Sequence, residues 1–295
     1  MPSLDLYKIF FTVARSGSLS KAAEKLYITQ PAVSHALKNL EEKLGTKLFV
    51  RTPKGVNLTH EGALLIQYIE QAYNFIFLGE QKLAEAVKMR SGEVHIVASE
   101  TLCRHFLLPH LSRFTREFPQ IKIHVTNRPT RETVQSILGG KADVGLVFLP
   151  VEEPELLTTK VLPIQDCFVV GEKLRHLTKT EMALEKIKAY PLIMLEEGSN
   201  TRHYIQTFLT SVGITVSPEI ELGSIDLIAE FAKQNFGVAT VIKEFAMRDM
   251  DNATLFELKT VPAIPPRNIG IIHMKDLPPS KATSAFIDCC LAKSL

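Results

Sequence analysis

The residues from Ser18 to Leu44, SLSKAAEKLYITQPAVSHALKNLEEKL, leave this part of the chain little freedom. Ser18 can N-cap a helix in which Ala22, Ala23 and Leu26 recur at helical spacing, and Tyr27-Ile28 makes a turn. Thr29 can N-cap a second helix with Pro31 in its first turn, where a missing N–H costs nothing. Val33, Leu37, Leu40 and Leu44 then form an inward apolar stripe, and Gly45 stops the helix. Ala22 and Ala23 are small enough for the helices to cross closely. The opposite face shows Gln30, Ser34, His35, Lys38 and Asn39, donors and acceptors that can pair with base edges in a major groove. A helical hairpin with a merely solvated polar face has the same pattern, so the flanking sequence has to decide.

Upstream, Ser3 can N-cap a helix to about Ser16 with Leu6, Ile9, Phe10, Val13 and Ala14 inward. Downstream, strand-like runs Leu48–Val50 and Val56–Leu58 flank a turn, Thr52-Pro-Lys-Gly55, which predicts a wing. Arg51, Thr52 and Lys54 at its tip suit phosphate contacts, and Arg51 equally suits a narrow minor groove. Thr59 caps a proline-free helix to about Met89. Leu65, Ile69, Ala72, Ile76, Gly79, Leu83 and Ala86 step along it as a heptad seam, with Tyr68, Tyr73, Phe75 and Phe77 beside the seam. The spacing predicts a helix that pairs with its own copy, and such a dimer matches a two-fold operator.

Charge divides the same way. Residues 1–58 carry nine Lys/Arg against four Asp/Glu, while the remaining 237 carry 25 against 28. A basic head on a mildly acidic body suits a phosphate-binding module joined to a regulatory one. No apolar signal segment or membrane-length run occurs, so no membrane partner and a cytoplasmic location are expected. Cys103, Cys167, Cys289 and Cys290 form no CxxC pair and read as reduced, packed thiols, with a redox sensor as the lesser alternative. No His/Cys cluster has metal-ligand spacing, so neither metal nor cofactor is expected. GxSxG, Walker A, HExxH and GxGxxG are all missing, and His60, His95, His105 and His110 make no spaced pair with a carboxylate, which argues against an enzyme.

From Glu93 short β-runs alternate with helical stretches, the signature of mainly parallel α/β sheets. The helical stretches are 102–118, 131–138, 180–188, 201–212, 225–234 and 281–293. Ligands in such sheets bind at strand carboxyl ends near helix N-termini. Two turns there carry hydroxyls and free backbone N–H groups, Ala98-Ser-Glu-Thr101 and Glu197-Gly-Ser-Asn-Thr-Arg202, and both suit a carboxylate or sulfate. Ser99 and Ser199 also suit simple helix capping, and Glu100 would repel an anion or select an amine-bearing ligand.

The runs Leu6–Phe10, Ser16–Ser20, Ala22-Ala23, Leu26, Thr29–Ser34, Leu40-Glu41, Leu44-Gly45, Leu48-Phe49 and Arg51 closely resemble LysR-type transcriptional regulators, and the resemblance extends over the whole chain. It implies an N-terminal all-α winged helix-turn-helix (1–58), a long linker and dimerisation helix (59–89) and a C-terminal α/β effector-binding regulatory domain (93–295). That domain would have two subdomains like periplasmic binding proteins, 93–162 with 267–295, and 163–266. Crossovers are expected at Leu162–Ile164 and Val261–Pro266, where prolines interrupt regular structure. By the same resemblance the two turns face each other across a cleft also lined by Arg128, Thr130 and Phe148.

The resulting expectation is a sequence-specific regulator acting as a homodimer or homotetramer on double-stranded DNA through Ser18, Thr29, Gln30, Pro31, Ser34, His35, Lys38, Arg51, Thr52 and Lys54. It would be switched by a small organic acid or other anion held by Ser99, Thr101, Arg128, Thr130, Phe148, Ser199, Thr201 and Arg202. Effector closure of the cleft would change body packing and so the spacing or bend of the heads on DNA.

Overall fold

Phe10, Val13, Ala22, Val33 and Leu40 are fully buried, and around them the first three helices cross. These are α1 (Leu4–Ser16), α2 (Leu19–Leu26) and α3 (Gln30–Leu44) in a computed structural model describing residues 2–52, 55–88 and 92–292. Burying a side chain such as Phe10 contributes about 2–3 kcal/mol. The Ser18 hydroxyl accepts from the Lys21 N–H at 3.5 Å and the Thr29 hydroxyl from the Ala32 N–H at 3.4 Å, which sets the starts of α2 and α3. Ser3 stands at the start of α1 without a side-chain cap. Leu44 departs from the expected stripe and is 36% exposed, because Gly45 turns left-handed (φ 71°) and ends the helix as it leaves the core.

A hairpin follows, β1 (Phe49–Thr52) paired antiparallel with β2 (Gly55–Leu58). Its tip residue Lys54 and the side chain of Arg51 lie outside the described residues. Glu41 of α3 fastens this wing by accepting from the Leu48 N–H at 2.9 Å, the Phe49 N–H at 3.4 Å and Lys47 Nζ at 2.7 Å. Burial opposes the Glu41 charge, but the Lys47 and backbone hydrogen bonds outweigh it and hold the carboxyl below its usual range.

Thr59 caps α4 (His60–Lys88) by accepting from the Gly62 N–H at 2.9 Å. A Cβ at Gly62 would sit 2.2 Å from the Leu48 carbonyl oxygen, so only glycine lets α4 start this close to the wing. Leu65, Ile66 and Ile69 pack on the head core and Tyr73 stacks on Phe11 at 5.0 Å. The first turns of the expected seam therefore serve their own head. Leu64, Tyr68, Ile76, Phe77 and Leu83 are exposed, and the side chain of Ala86 lies outside the described residues.

The chain divides into two compact units, Met1–Ala84 and Glu85–Leu295. The second runs β3 (Glu93–Ala98), α5 (Glu100–Leu102), α6 (Leu108–Glu117), β4 (Lys122–Asn127), α7 (Thr130–Leu138), β5 (Val144–Phe148) and β6 (Leu156–Ile164). It continues β7 (Asp166–Val170), β8 (Met182–Ala183), β9 (Leu192–Leu195), α8 (Asn200–Ser211), β10 (Ile220–Leu222), α9 (Ile225–Lys233), β11 (Val238–Ile242) and α10 (Lys243–Asp251). It ends β12 (Phe256–Leu258), β13 (Thr260–Val261), β14 (Arg267–Met274) and α11 (Lys281–Leu291).

Two five-stranded sheets result, in orders β4-β3-β5-β14-β6 and β10-β9-β11-β7-β12, each the centre of one lobe. Each has two parallel and two antiparallel pairings, so the sheets are mixed and not mainly parallel. The antiparallel pairs arise where the chain changes lobe and re-enters a sheet from its opposite end. The first change is at Gln165, later than the prolines suggest. Pro163 pairs with Asn268 inside β6, an edge strand where a missing donor is tolerated. The second runs through residues 262–266. One core joins the lobes, with Ile96, Leu146 and Ile271 of the first sheet beside Val169, Ile193 and Val241 of the second.

Three local readings change. Residues 180–188 form no α-helix. Met182–Ala183 pairs with Thr260–Val261, and a 3-10 turn over Leu184–Ala189 buries Leu184 and Ile187. The helix expected over 102–118 carries a π-turn at Cys103–Leu107, just before Pro109, whose ring nitrogen cannot supply the regular i→i−4 bond. Helix α10 was not legible because its start has no side-chain cap.

Candidate functional site

The head presents Gln30, Pro31, His35 and Lys38 exposed along α3, with Ser34 and Asn39 half-buried between them. This polar face opens at the helix N-terminus, where unpaired N–H groups and the positive end of the dipole favour phosphate. The Ser18 and Thr29 hydroxyls use a lone pair to cap and keep their protons to donate outward. Lys38 lies 3.7 Å from Glu42, but both are well exposed, so the pair is weak and the cation remains usable. Thr52 donates to the Gly55 carbonyl at 3.2 Å, which commits its proton to the wing turn.

In the second unit, a cavity of about 350 Å³ opens at the carboxyl ends of β3 and β9, between the lobes. Six of the eight expected residues meet there: Ser99, Thr101, Thr130, Phe148, Ser199 and Thr201. The lobes also touch directly, since Asn200 Nδ2 donates to the Phe148 carbonyl at 2.8 Å. Ser99 and Ser199 are N-caps, accepting from the Leu102 and Arg202 N–H groups at 3.4 and 3.3 Å, with their hydroxyl protons still available. A larger hollow of about 810 Å³ adjoins this cavity between α7 and α8 and shares Thr130 and residues 197–200 with it.

The two expected arginines do not enter the smaller cavity. Arg128 is exposed and turns to Glu132 at 3.3 Å and to its neighbour's carbonyl, Asn127 O, at 2.8 Å. Arg202 is buried, and its Nη1 is spent on the Leu195 carbonyl at 2.8 Å and Glu221 at 3.1 Å. Among the described residues the lining instead includes Glu100, Glu196 and Glu197 and no Lys, Arg or His.

A cation does lie behind the wall. Arg267, the first residue of β14, is 4% exposed. Its Nε and Nη2 donate to the two Asp166 carboxylate oxygens at 2.6 and 2.9 Å, and Nη2 donates to the Thr201 hydroxyl at 2.8 Å. Its guanidinium also lies over the rings of Phe148 and Tyr204 at 4.8 and 4.7 Å. Nη1 is buried without a partner among the described residues. Burial pushes the Asp166 carboxyl up and the Arg267 charge opposes that rise. Asp166 directly follows the first change of lobe and Arg267 the second, so this pair fastens both connections and reaches the cavity through Thr201. Sequence reasoning missed both residues. The available signal was a charged residue opening an otherwise apolar β-run, directly after the 262–266 connection.

His105 and Asp226 also make a pair the sequence did not suggest, at 2.8 Å between the lobes, with the imidazole stacked on Phe245. Burial raises Cys103 and Cys167, and raises Cys290 to about 12. No metal-ligand spacing shows along the sequence, but strand pairing gathers Glu93, His95 and His124, with one donor atom of each within 4.8 Å of the others.

Both units are similar to known proteins. Residues 4–63 match the family described as bacterial regulatory helix-turn-helix protein, lysR family, and residues 88–294 match the LysR substrate binding domain. The HTH-type transcriptional regulator YofA of Bacillus subtilis is 28% identical over 288 residues, 98% of each chain. A probable RuBisCO transcriptional regulator of Emiliania huxleyi is 31% identical over 277 residues, 92% of this chain and 88% of its own. Among solved structures, a full-length single-site variant of OxyR from Pseudomonas aeruginosa has a TM-score of 0.68 at 18% identity, covering 100% of this chain and 99% of its own. Full-length CbnR complexed with its target DNA has a TM-score of 0.64 at 17% identity, covering 98% of each. At such identities the shared property is the fold.

Proposed function

The chain belongs to the LysR family of bacterial transcription regulators, and from that premise we propose that its head reads an operator through α3 while a small anion-bearing metabolite, held between the lobes, sets how the heads sit on DNA. It is a DNA-binding transcription regulator with an effector-binding domain, and its relatives are regulators and not enzymes. Gln30, Ser34 and His35 address base edges, and Pro31 offers an apolar contact beside them. Lys38, Arg51 and Lys54, with the hydroxyls of Ser18 and Thr29, hold the phosphate backbone, while Thr52 closes the wing turn beside them.

The chain works as a homodimer through α4, paired further into a tetramer. The apolar side chains of Leu64, Tyr68, Ile76, Phe77 and Leu83, exposed in the single chain, support this. Among the described residues no helix is long and apolar enough to cross a membrane, in keeping with work in the cytoplasm beside the chromosome.

The observation that carries the effector reading is Thr201. Its side chain is almost fully buried, lines the interlobe cavity and accepts from Arg267. Its own proton is left for an anion, with a buried guanidinium behind it. Ser99, Thr101, Thr130 and Ser199 add hydroxyls and Phe148 a flat apolar wall, while Arg128 and Arg202 have little part. Glu100, Glu196 and Glu197 at the mouth disfavour ligands of several negative charges and suit an amine, so monocarboxylates and amino acids are the preferred class. Closure on such a ligand shifts the Asp166–Arg267 fastening and with it the packing between bodies. A bound effector acts only through its differential affinity for the two arrangements.

A thermal-shift panel of mono-, di- and tricarboxylates and amino acids tests this. Stabilisation by a singly charged acid or an amino acid, lost in Thr201→Val and kept in Thr201→Ser, is expected. No shift with any anion, or an unchanged shift in Thr201→Val, contradicts it.

A further inference from the structure

Strand periodicity places Glu93 and His95 on one face of β3, and the parallel register sets His124 of β4 directly beside His95. The imidazoles stack with centroids 4.4 Å apart and planes 7° from parallel. Both present Nε2 to the same Glu93 oxygen, His124 at 3.3 Å and His95 at 3.9 Å. We propose that Glu93, His95 and His124 form a binding site for a divalent transition-metal ion, separate from the interlobe cavity and at the opposite end of the strands.

Donors around a four-coordinate zinc ion stand about 3.4 Å apart, given bonds near 2.0–2.1 Å. The Glu93–His124 separation already has about this value, His95 Nε2 has about half an ångström to close on Glu93, and the two imidazoles, on half-exposed side chains, rotate out of their near-parallel stack so that both nitrogens turn to one ion. The backbone beneath is fixed, since the His95 N–H donates to Asp143 Oδ2 at 2.9 Å and the two strands pair along their full length. Lys122 Nζ holds the other Glu93 oxygen at 3.2 Å. That contact orients the carboxylate so that one oxygen faces the histidines, the supporting role outer groups play at metal sites. The lysine need not leave when an ion binds. Two imidazoles and one carboxylate suit zinc, nickel or copper ions and give magnesium and calcium too few oxygens. Water completes the coordination on the exposed side. A cross-strand pair of this kind ties the first residue of β3 to the edge strand β4.

The test uses the full chain, stripped with a chelator and titrated with zinc against a chromophoric competitor, with thermal melting in parallel. One equivalent of zinc is expected, raising the melting temperature, while magnesium at the same concentration has no effect. His95→Gln and His124→Gln should each weaken zinc binding by about tenfold or more and abolish the thermal gain. The thermal gain of each variant is read against its own metal-free melting. If His95→Gln fails to fold, His124→Gln decides alone, because His124 is the more exposed of the two. Failure of the wild type to retain zinc, an equivalent that survives His124→Gln, or equal competition by magnesium overturns the proposal.

Discussion

Thr201 is a small side chain in a demanding position, because its oxygen is the only hydroxyl acceptor among the described partners of Arg267. Thr201→Val keeps the shape and removes that acceptor, which should cost about 1–3 kcal/mol in thermal or urea unfolding. Thr201→Ser should cost much less. The Arg267–Asp166 pair behaves differently. Arg267→Met strands a buried carboxylate and should cost about 3–5 kcal/mol, while a double change to Arg267→Met with Asp166→Leu should recover much of it. A double-mutant cycle by chemical denaturation reads the coupling. In the head, Glu41 is charged more easily folded than unfolded, since Lys47 and two backbone N–H groups overcome its burial. Its contribution is present above the ordinary glutamate range near pH 4.5 and is lost as pH falls through the lowered folded value. Glu41→Gln should therefore lower head stability at neutral pH and flatten this acid limb, as measured by melting across pH 3–7.

At the scale of elements, α4 depends on one missing side chain. Gly62→Ala pushes a methyl into the Leu48 carbonyl, and the shift required should cost about 1–3 kcal/mol, seen as a lower melting temperature of the head. The second and third head helices were legible because caps, periodicity and stop signals agree within them: Ser18, Thr29 and Gly45 all stand where the sequence places them. The turns of the cleft were legible for the same reason, since Ser99 and Ser199 announce helix starts after apolar runs. What escaped depends on long-range pairing. Met182–Ala183 becomes a strand only because Thr260–Val261 lies beside it. Arg267 meets Asp166 across 101 residues of chain, and His124 meets His95 through sheet register. No local pattern marks these encounters. Arg128 and Arg202 stand outside the smaller cavity's lining because sequence fixes a residue's place on a helix or turn and not the acceptor its long side chain finds.

The molecule as a whole joins a basic head and an acidic body, each with its own core. Such a division lets a body of variable ligand chemistry serve a constant way of holding DNA. On the proposed pairing through α4, an Ile76→Asp and Leu83→Asp double variant should lower the oligomeric state in sedimentation experiments and weaken operator binding while leaving each unit folded. Everything proposed for the head depends on the polar face of α3 reading bases. Selection of bound fragments from a random DNA pool by the full chain, repeated with Gln30→Ala, tests it most directly. The wild type should enrich a two-fold symmetric sequence with half-sites spaced by whole turns of the duplex. The variant should lose preference at one symmetric pair of positions, by about 1–3 kcal/mol, and keep its salt-dependent hold on DNA of any sequence. An unchanged enriched sequence in Gln30→Ala, or an equal loss of affinity for every sequence, would contradict that claim.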